Sequence, residues 1–246
     1  MLAGGGAVGA ATYALRETAW KAVENYVRGV VYYYTYDSDS RIVGTNVRTS
    51  MQQYGWAGDH YLNPHPNDQP YWPGQMYVRE SVRMVGMMTL DANDICMTDG
   101  TTPRSVKTVS TASYAMDSHA MQRFAYNNGG TWQTLLEGSF YVAPGTGGAC
   151  GADEIAPIPI EAITPKAADC TNMLVGFCLS ATHAAFGATR MELSAMQLGQ
   201  SIGMILAQCI DSGTTVQNVD YPTVRSRLLA SPSYAGEIAP VLPQLN

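Results

Sequence analysis

The sequence predicts a mixed fold of helices and strands, α/β or α+β, with long ordered loops, and three stretches carry that expectation. From Ala14 to Tyr34, the apolar residues Leu15, Ala19, Val23, Val27, Val30 and Tyr34 recur every three or four positions, which places them on one face of a helix. The run NMLVGFCLS at 172–180 is short and nearly all apolar, the pattern of a buried strand. Beyond it, Met191, Ala195, Leu198, Ile202, Ile205 and Cys209 repeat at helical spacing until Gly213 ends the pattern.

Around these three anchors the chain organises as a Gly-rich lead-in (1–13), a helix with a loop-rich region (14–142), a linker-like loop (143–154) and a strand-helix region (155–246). In the lead-in, Gly4-x-Gly6-x-x-Gly9 spells a dinucleotide fingerprint. Such a fingerprint works only between a strand and a helix, and Met1, Leu2 and Ala3 are too few to make that strand. It reads as an accident of a flexible lead-in. Residues 54–74, rich in Pro, Gly and aromatics, read as an ordered loop. QMYVRESVRMVG then suggests an extended segment with Arg79 and Arg83 four apart, and a second loop covers about 98–113. EIAPIPIEAITPK reads as an extended strand punctuated by prolines. Thr189-Arg190-Met191-Glu192 has the spelling of a capping box for the long helix. On that helix Ala195, Gly199, Gly203 and Ala207 form a stripe of small residues suited to close backbone packing, and a last helix begins near Asp220-Tyr221-Pro222.

Composition narrows the function classes. At 246 residues, 46% hydrophobic and 14% charged, the chain can bury a sizeable core. A formal charge of -6 and no Lys/Arg cluster argue against a nucleic-acid partner. No run is expected to span a membrane, and the start lacks the basic and long apolar regions of a signal peptide. Five cysteines without CxxC spacing signal neither zinc nor a disulfide framework, and reduced thiols fit a cytoplasmic chain. Cys178 and Cys209, in apolar runs, are expected to be buried.

Three constellations could carry chemistry. Gly199-Gln200-Ser201-Ile202-Gly203 matches the G-x-S-x-G elbow of serine hydrolases, with His183 and Asp211 as conceivable partners. Ser201, however, lies well inside the long helix, and the glycines flanking it also belong to the small-residue stripe. His60, His65, Asp59 and Asp68 match no metal spacing, and no metal is expected. The junction CLSATHAAFGATRMEL (178–193) is the most informative. A strand ending at Ser180, a loop with Thr182, His183 and Gly187, and a helix start would face developing negative charge. An ordinary structural corner with a core histidine is the competing account.

The same junction carries a family resemblance. TPKAADCTNMLVGFCLSATHAAFGATRMELSAMQLGQSIG resembles the C-terminal part of bacterial FAD-dependent oxidoreductases, some labelled xanthan-lyase-like. Their pattern runs approximately VPKR-x-E-C-x-N-LLVP-x-CLSASH-x-A-[FY]-GSIRMEP-x-x-M-x-LGQ. LRETAWKAVENYVRGVVYY, QMYVRESVRMVG, YAMDSHAMQR and Asp220-Tyr221 with RSRLL match further family segments in order, so the resemblance covers about 11–230. Ile160-Glu161, Ala167, Ala188-Thr189 and Leu193 depart from the pattern.

The resemblance implies a partial FAD/NAD-binding-type fold. In it the family's N-terminal βαβ unit would lie upstream, 14–142 would form the substrate side, and 155–246 the flavin-facing end. It implies FAD as cofactor, contacted by Thr182, Gly187, Thr189, Arg190, Met191 and Glu192. His183 would be proton carrier or polar substrate contact, with Ser180 beside it. Arg79, Arg83, Asp117, His119 and Gln122 would contact substrate or another domain. The implied activity is hydride transfer between a sugar or polyol and flavin, in a truncated or repurposed member. Ser201 hydrolysis and a non-catalytic, homo-oligomeric binding or assembly module are the alternatives, the latter because a missing flavin-domain partner would leave apolar surface to cover.

Overall fold

The computed structural model describes residues 12–62, 71–74, 77–95, 107–120, 122–142 and 155–230. Gly4, Gly6, Gly9, His65, Asp68, Cys96, Cys150 and the linker-like stretch 143–154 lie outside the described residues. The fold mixes α-helices with small antiparallel sheets, and the chain divides into two units, Met1–Val82 and Arg83–Asn246.

In the first unit, α1 (Tyr13–Thr35) starts at Thr12, whose side chain accepts from the Leu15 amide. Ala19, Val23, Val27, Val30 and Tyr34 are half-buried as the periodicity predicts, while Leu15 is exposed. Glu24 is buried between Lys21 and Arg28, each 3.0 Å from one of its carboxylate oxygens. The Arg28 guanidinium lies 4.9 Å from the Trp56 ring centre and 5.2 Å from that of Trp72, which fastens the aromatic loop to α1 by cation–π contact. Arg48, on α2 (Asn46–Met51), donates to the carbonyls of Tyr33, Thr35 and Asp37. It thereby serves carbonyls that the end of a helix leaves without intrahelical partners.

In the second unit a short helix, α3 (Ala92–Ile95), precedes the six described strands. The strands are β1 (Thr108–Ala112), β2 (Met116–Ser118), β3 (Gln122–Asn128), β4 (Thr131–Glu137), β5 (Phe140–Val142) and β6 (Ala156–Pro159). They pair antiparallel as β1–β6, β2–β5 and β3–β4. Helices α4 (Ile160–Ile163), α5 (His183–Thr189), α6 (Glu192–Ser212) and α7 (Tyr221–Ala230) follow. Leu90, Val109, Ile158, Ile163, Leu179, Phe186, Leu198, Ile205, Val224 and Leu228 fill the core between them.

Helix α6 lies along β1, and its polar residues serve that strand. Ser194 Oγ donates to the Thr111 carbonyl, Gln197 Oε1 accepts from the Thr111 amide, and Ser201 Oγ donates to the Val109 carbonyl. A strand edge needs such partners when it is covered, because buried backbone groups must be satisfied. At the far end Gly213 adopts φ 63°, the left-handed conformation that glycine takes most readily, and closes the helix as the sequence predicts.

Several expectations are corrected here. Residues 172–180 form no strand: the segment is irregular, tethered by bonds from the Val175 amide to Ile163 O, from the Met84 amide to Cys178 O and, at its end, from the Ser180 amide to Ala162 O and the Leu90 amide to Ser180 O. Of its residues only Leu179 and Ser180 are buried, and Cys178 is exposed, whereas Cys209 is buried as expected. The expected loop at 98–113 contains β1, and the expected strand of 154–166 is a short strand followed by the helical turn α4. Thr189 does not cap α6. It is buried as the last residue of α5, and its hydroxyl donates to Phe186 O. Nor does the small-residue stripe sit under a neighbour: β-carbons added at Gly199 or Gly203 would meet nothing within 4 Å. Finally, α6, with 21 residues and mean hydropathy 1.2, does reach the length and composition of a membrane span, with about a third of that stretch buried.

Candidate functional site

The junction begins as an extended segment held from two sides. The Ser180 amide donates to Ala162 O on α4, while the Leu90 amide donates to Ser180 O and the Thr182 amide to Leu90 O. Ser180 is fully buried, and its hydroxyl lies 2.9 Å from that of Thr89. Arg83 braces the same stretch: its Nε donates to Ala181 O at 2.9 Å, and its guanidinium lies 5.4 Å from the Phe186 ring centre.

Thr182 then caps α5, its hydroxyl accepting from the Ala185 amide. This places His183 at the first helical position, where its Nε2 lies 2.9 Å from Ser118 Oγ on β2 and its ring meets Phe140 edge-on at 5.5 Å. Gly187, one turn on, touches the backbone of Asp117. Arg190 closes the contact, with Nη2 2.8 Å from Asp117 Oδ2 and both side chains largely buried. The half-exposed His119 Nε2 approaches the same oxygen at 3.5 Å. Strand β2 and helix α5 thus bring together Asp117, Ser118, His119, His183, Gly187 and Arg190, which are up to seventy-odd residues apart in sequence.

Helix α6 begins where this cluster ends. The Arg190 amide donates to Phe186 O and its guanidinium is engaged by Asp117, so this residue belongs to α5 and its packing. Met191 is the N-cap of α6 and makes no side-chain capping bond. The first amides of a helix have no intrahelical acceptor, so Glu192, Leu193 and Ser194 present N–H groups at the positive end of a 21-residue helix. Leu193 and Met196 stand exposed beside them.

Other sequence candidates lie elsewhere. Arg79 belongs to the first unit, where it is exposed with its guanidinium 5.7 Å from the Tyr77 ring centre. Gln122 is placed by its backbone in β3, opposite Glu137. Ser201 is fully buried in the middle of α6 with its hydroxyl on Val109 O; no strand-to-helix elbow exposes it. Asp211 pairs with Arg227 at 3.7 Å. His60 and Asp59 are exposed, and among the described residues no three potential ligands gather as a metal site. Ser118, Thr89 and Phe140 were not legible as site residues, because each depends on which strand or loop β2 and α5 meet.

FAD has two chemically distinct halves, and the described residues fit one of them. An uncapped row of amides suits the polar edge of an isoalloxazine ring, and exposed Leu193 and Met196 suit its apolar face. The adenosine diphosphate half needs a glycine turn between a strand of a parallel sheet and a helix, and among the described residues every sheet is a two-stranded antiparallel pair. These residues therefore fit the ring and offer no cradle for the diphosphate.

A family model described as FAD dependent oxidoreductase matches residues 3–228. No curated protein matches the chain, and no solved structure does.

Proposed function

The chain belongs to the FAD dependent oxidoreductase family, and from that premise we propose that its α5–α6 corner is the ring-facing part of a flavin site acting on a neutral, hydroxyl-rich substrate of the sugar or polyol class. The observation that carries this reading is the uncapped start of α6 directly after the helix that bears His183. Bound flavin would supply two-electron acceptor chemistry. The amides of Glu192, Leu193 and Ser194 would hold the ring's polar edge and favour negative charge there, while Leu193 and Met196 cover its apolar surface. Arg190 and Asp117 neutralise each other and keep α5 seated on β2, so neither presents a net charge to substrate. His183 would exchange the proton of a substrate hydroxyl. Thr182 fixes the turn that aims it, and the Ser180 and Thr89 hydroxyls, 2.9 Å apart, tie its segment to the neighbouring one.

The test is anaerobic bleaching of the flavin band by a panel of sugars, polyols and short carboxylic acids, in the wild type and in His183→Gln. Bleaching by the neutral hydroxyl compounds, slowed about a hundredfold or more in the variant, is the expected result. Bleaching by the acids alone, or an unaffected variant, contradicts the reading.

A second reading rests on the β3–β4 hairpin. Its described side chains are exposed on both faces, and Phe124, Tyr126, Trp132, Leu135 and Leu136 are among them. Isolated two-stranded hairpins are marginal in water, and exposed apolar patches mark association surfaces. We propose self-association through this hairpin as the route to an oligomer. Light scattering that shows a strict monomer at all concentrations overturns it.

A further inference from the structure

We propose that Asn128, at the tip of the β3–β4 hairpin, is a site of spontaneous deamidation. The reaction needs only water as co-reactant, and the inference does not depend on the flavin reading.

Asn128-Gly129 is the one Asn-Gly step in the chain. Asn128 ends β3, Thr131 begins β4, and Gly129 and Gly130 turn between them at φ 60° and 96°. The two asparagines of this turn are held differently. Asn127 Oδ1 accepts from the Gly130 amide at 2.6 Å, so its carboxamide is engaged in the turn. Asn128 is exposed, and among the described residues its carboxamide has no hydrogen-bond partner; nor has the Gly129 N–H. Glycine also carries no side chain to shield its nitrogen. An electrophilic carbon and a nucleophilic nitrogen thus stand side by side, neither of them engaged.

The step balances as a hydrolysis. The Gly129 nitrogen, its proton lost to hydroxide, bonds to Cγ of Asn128, and the carboxamide nitrogen leaves as ammonia. Water then opens the cyclic imide at either carbonyl and gives aspartate or isoaspartate. Ring closure requires rotation about the Asn128 Cα–C bond, which pairing with Thr131 opposes, so the reaction runs through opening of the hairpin tip. That opening costs little, because the hairpin is two-stranded and its described side chains are exposed on both faces. The product adds a negative charge to a chain of formal charge -6. In isoaspartate the main chain also gains a carbon, which disturbs the register of position 128 with Thr131.

The test incubates the dilute full chain at neutral and at mildly alkaline pH, folded and in urea, and maps each asparagine peptide by mass spectrometry. Isoaspartate is read by methylation with an isoaspartyl methyltransferase and a labelled methyl donor. The expected result is conversion at Asn128 in the folded chain, no more than about tenfold slower than in urea, since a cheap opening keeps the reactive form populated. Conversion is faster at the higher pH, and Asn127 remains intact over the same time. Asn127→Ala releases the Gly130 amide and is expected to speed conversion at Asn128 about two- to tenfold, the effect of one lost hydrogen bond in the turn. Asn128→Gln abolishes the signal. An Asn128 that stays intact in the folded chain while the chain in urea is converted overturns the proposal. So does equal conversion at Asn127, or a rate indifferent to Asn127→Ala. The assay contains no flavin, so its outcome is separate from that of the flavin reading.

Discussion

Gly187 and Asp117 meet backbone to backbone: a β-carbon built on Gly187 would lie 2.7 Å from both the nitrogen and the oxygen of Asp117. Neither backbone can yield cheaply, since Gly187 is inside α5 and Asp117 is inside β2. Gly187→Ala is therefore expected to cost about 2 kcal/mol or more by overpacking. Gly199→Ala, on the open face of α6, is expected to be neutral or to stabilise by up to about 1 kcal/mol. Urea midpoints of the two variants check the contrast.

The same contact is clamped by the Arg190–Asp117 ion pair, whose side chains are 6% and 13% exposed. Asp117→Ala leaves a guanidinium buried without its carboxylate and is expected to cost about 3–5 kcal/mol. Replacing both residues by apolar ones of similar volume is expected to recover most of that loss. A double-variant cycle in denaturant measures it, and additive losses would contradict the coupling.

Tyr221 sits beneath β1 and donates to Thr108 O at 2.8 Å, and burial pushes its phenol up from 10.0 to about 12. The folded state keeps this proton where the unfolded chain would release it. The stabilisation is thus complete below about pH 10 and is lost as pH rises toward 12, in total on the order of 2 kcal/mol. Tyr221→Phe is expected to lose about 1 kcal/mol at neutral pH with its hydrogen bond, and to show a shallower alkaline decline. Unfolding curves across that pH range, with equal slopes for both proteins, would contradict the assignment.

Ser201 is a structural donor to the edge of β1. An active-serine reagent is expected to leave it unlabelled. Ser201→Ala is expected to lower stability by about 1–3 kcal/mol, since it leaves the Val109 carbonyl without that donor. Labelling of the folded wild type that disappears in the variant would restore the hydrolase reading.

The parts of the fold that local periodicity governs were legible in the sequence. Helix α1 and helix α6 with its Gly213 stop follow from spacing alone. The apolar run 172–180 misled, because a buried-strand pattern counts hydrophobic residues and cannot show that its carbonyls and amides find only isolated partners. The β3–β4 hairpin did carry a signal: Gly129 and Gly130 form a two-residue turn with φ 60° and 96° between paired strands, as an Asn-Gly-Gly spelling allows. At the site, Thr182, His183 and Gly187 could be found from the motif because they share one helix and its cap. Their partners Ser118, Phe140 and Thr89 come from long-range pairing, which no window of the sequence contains. Thr189 illustrates the opposite error, since its capping-box spelling was overridden by burial at the end of α5.

The central claim is that a flavin ring rests on the start of α6, and the most direct measurement is a difference-absorbance titration of FAD with the full chain and with Leu193→Asp. Leu193 is 75% exposed, so the variant should fold while setting a carboxylate against the ring site. A saturable shift of the flavin band with the wild type, weakened or lost in Leu193→Asp, is the predicted result. A spectrum that remains that of free FAD at every protein concentration, or a shift indifferent to Leu193→Asp, would contradict it.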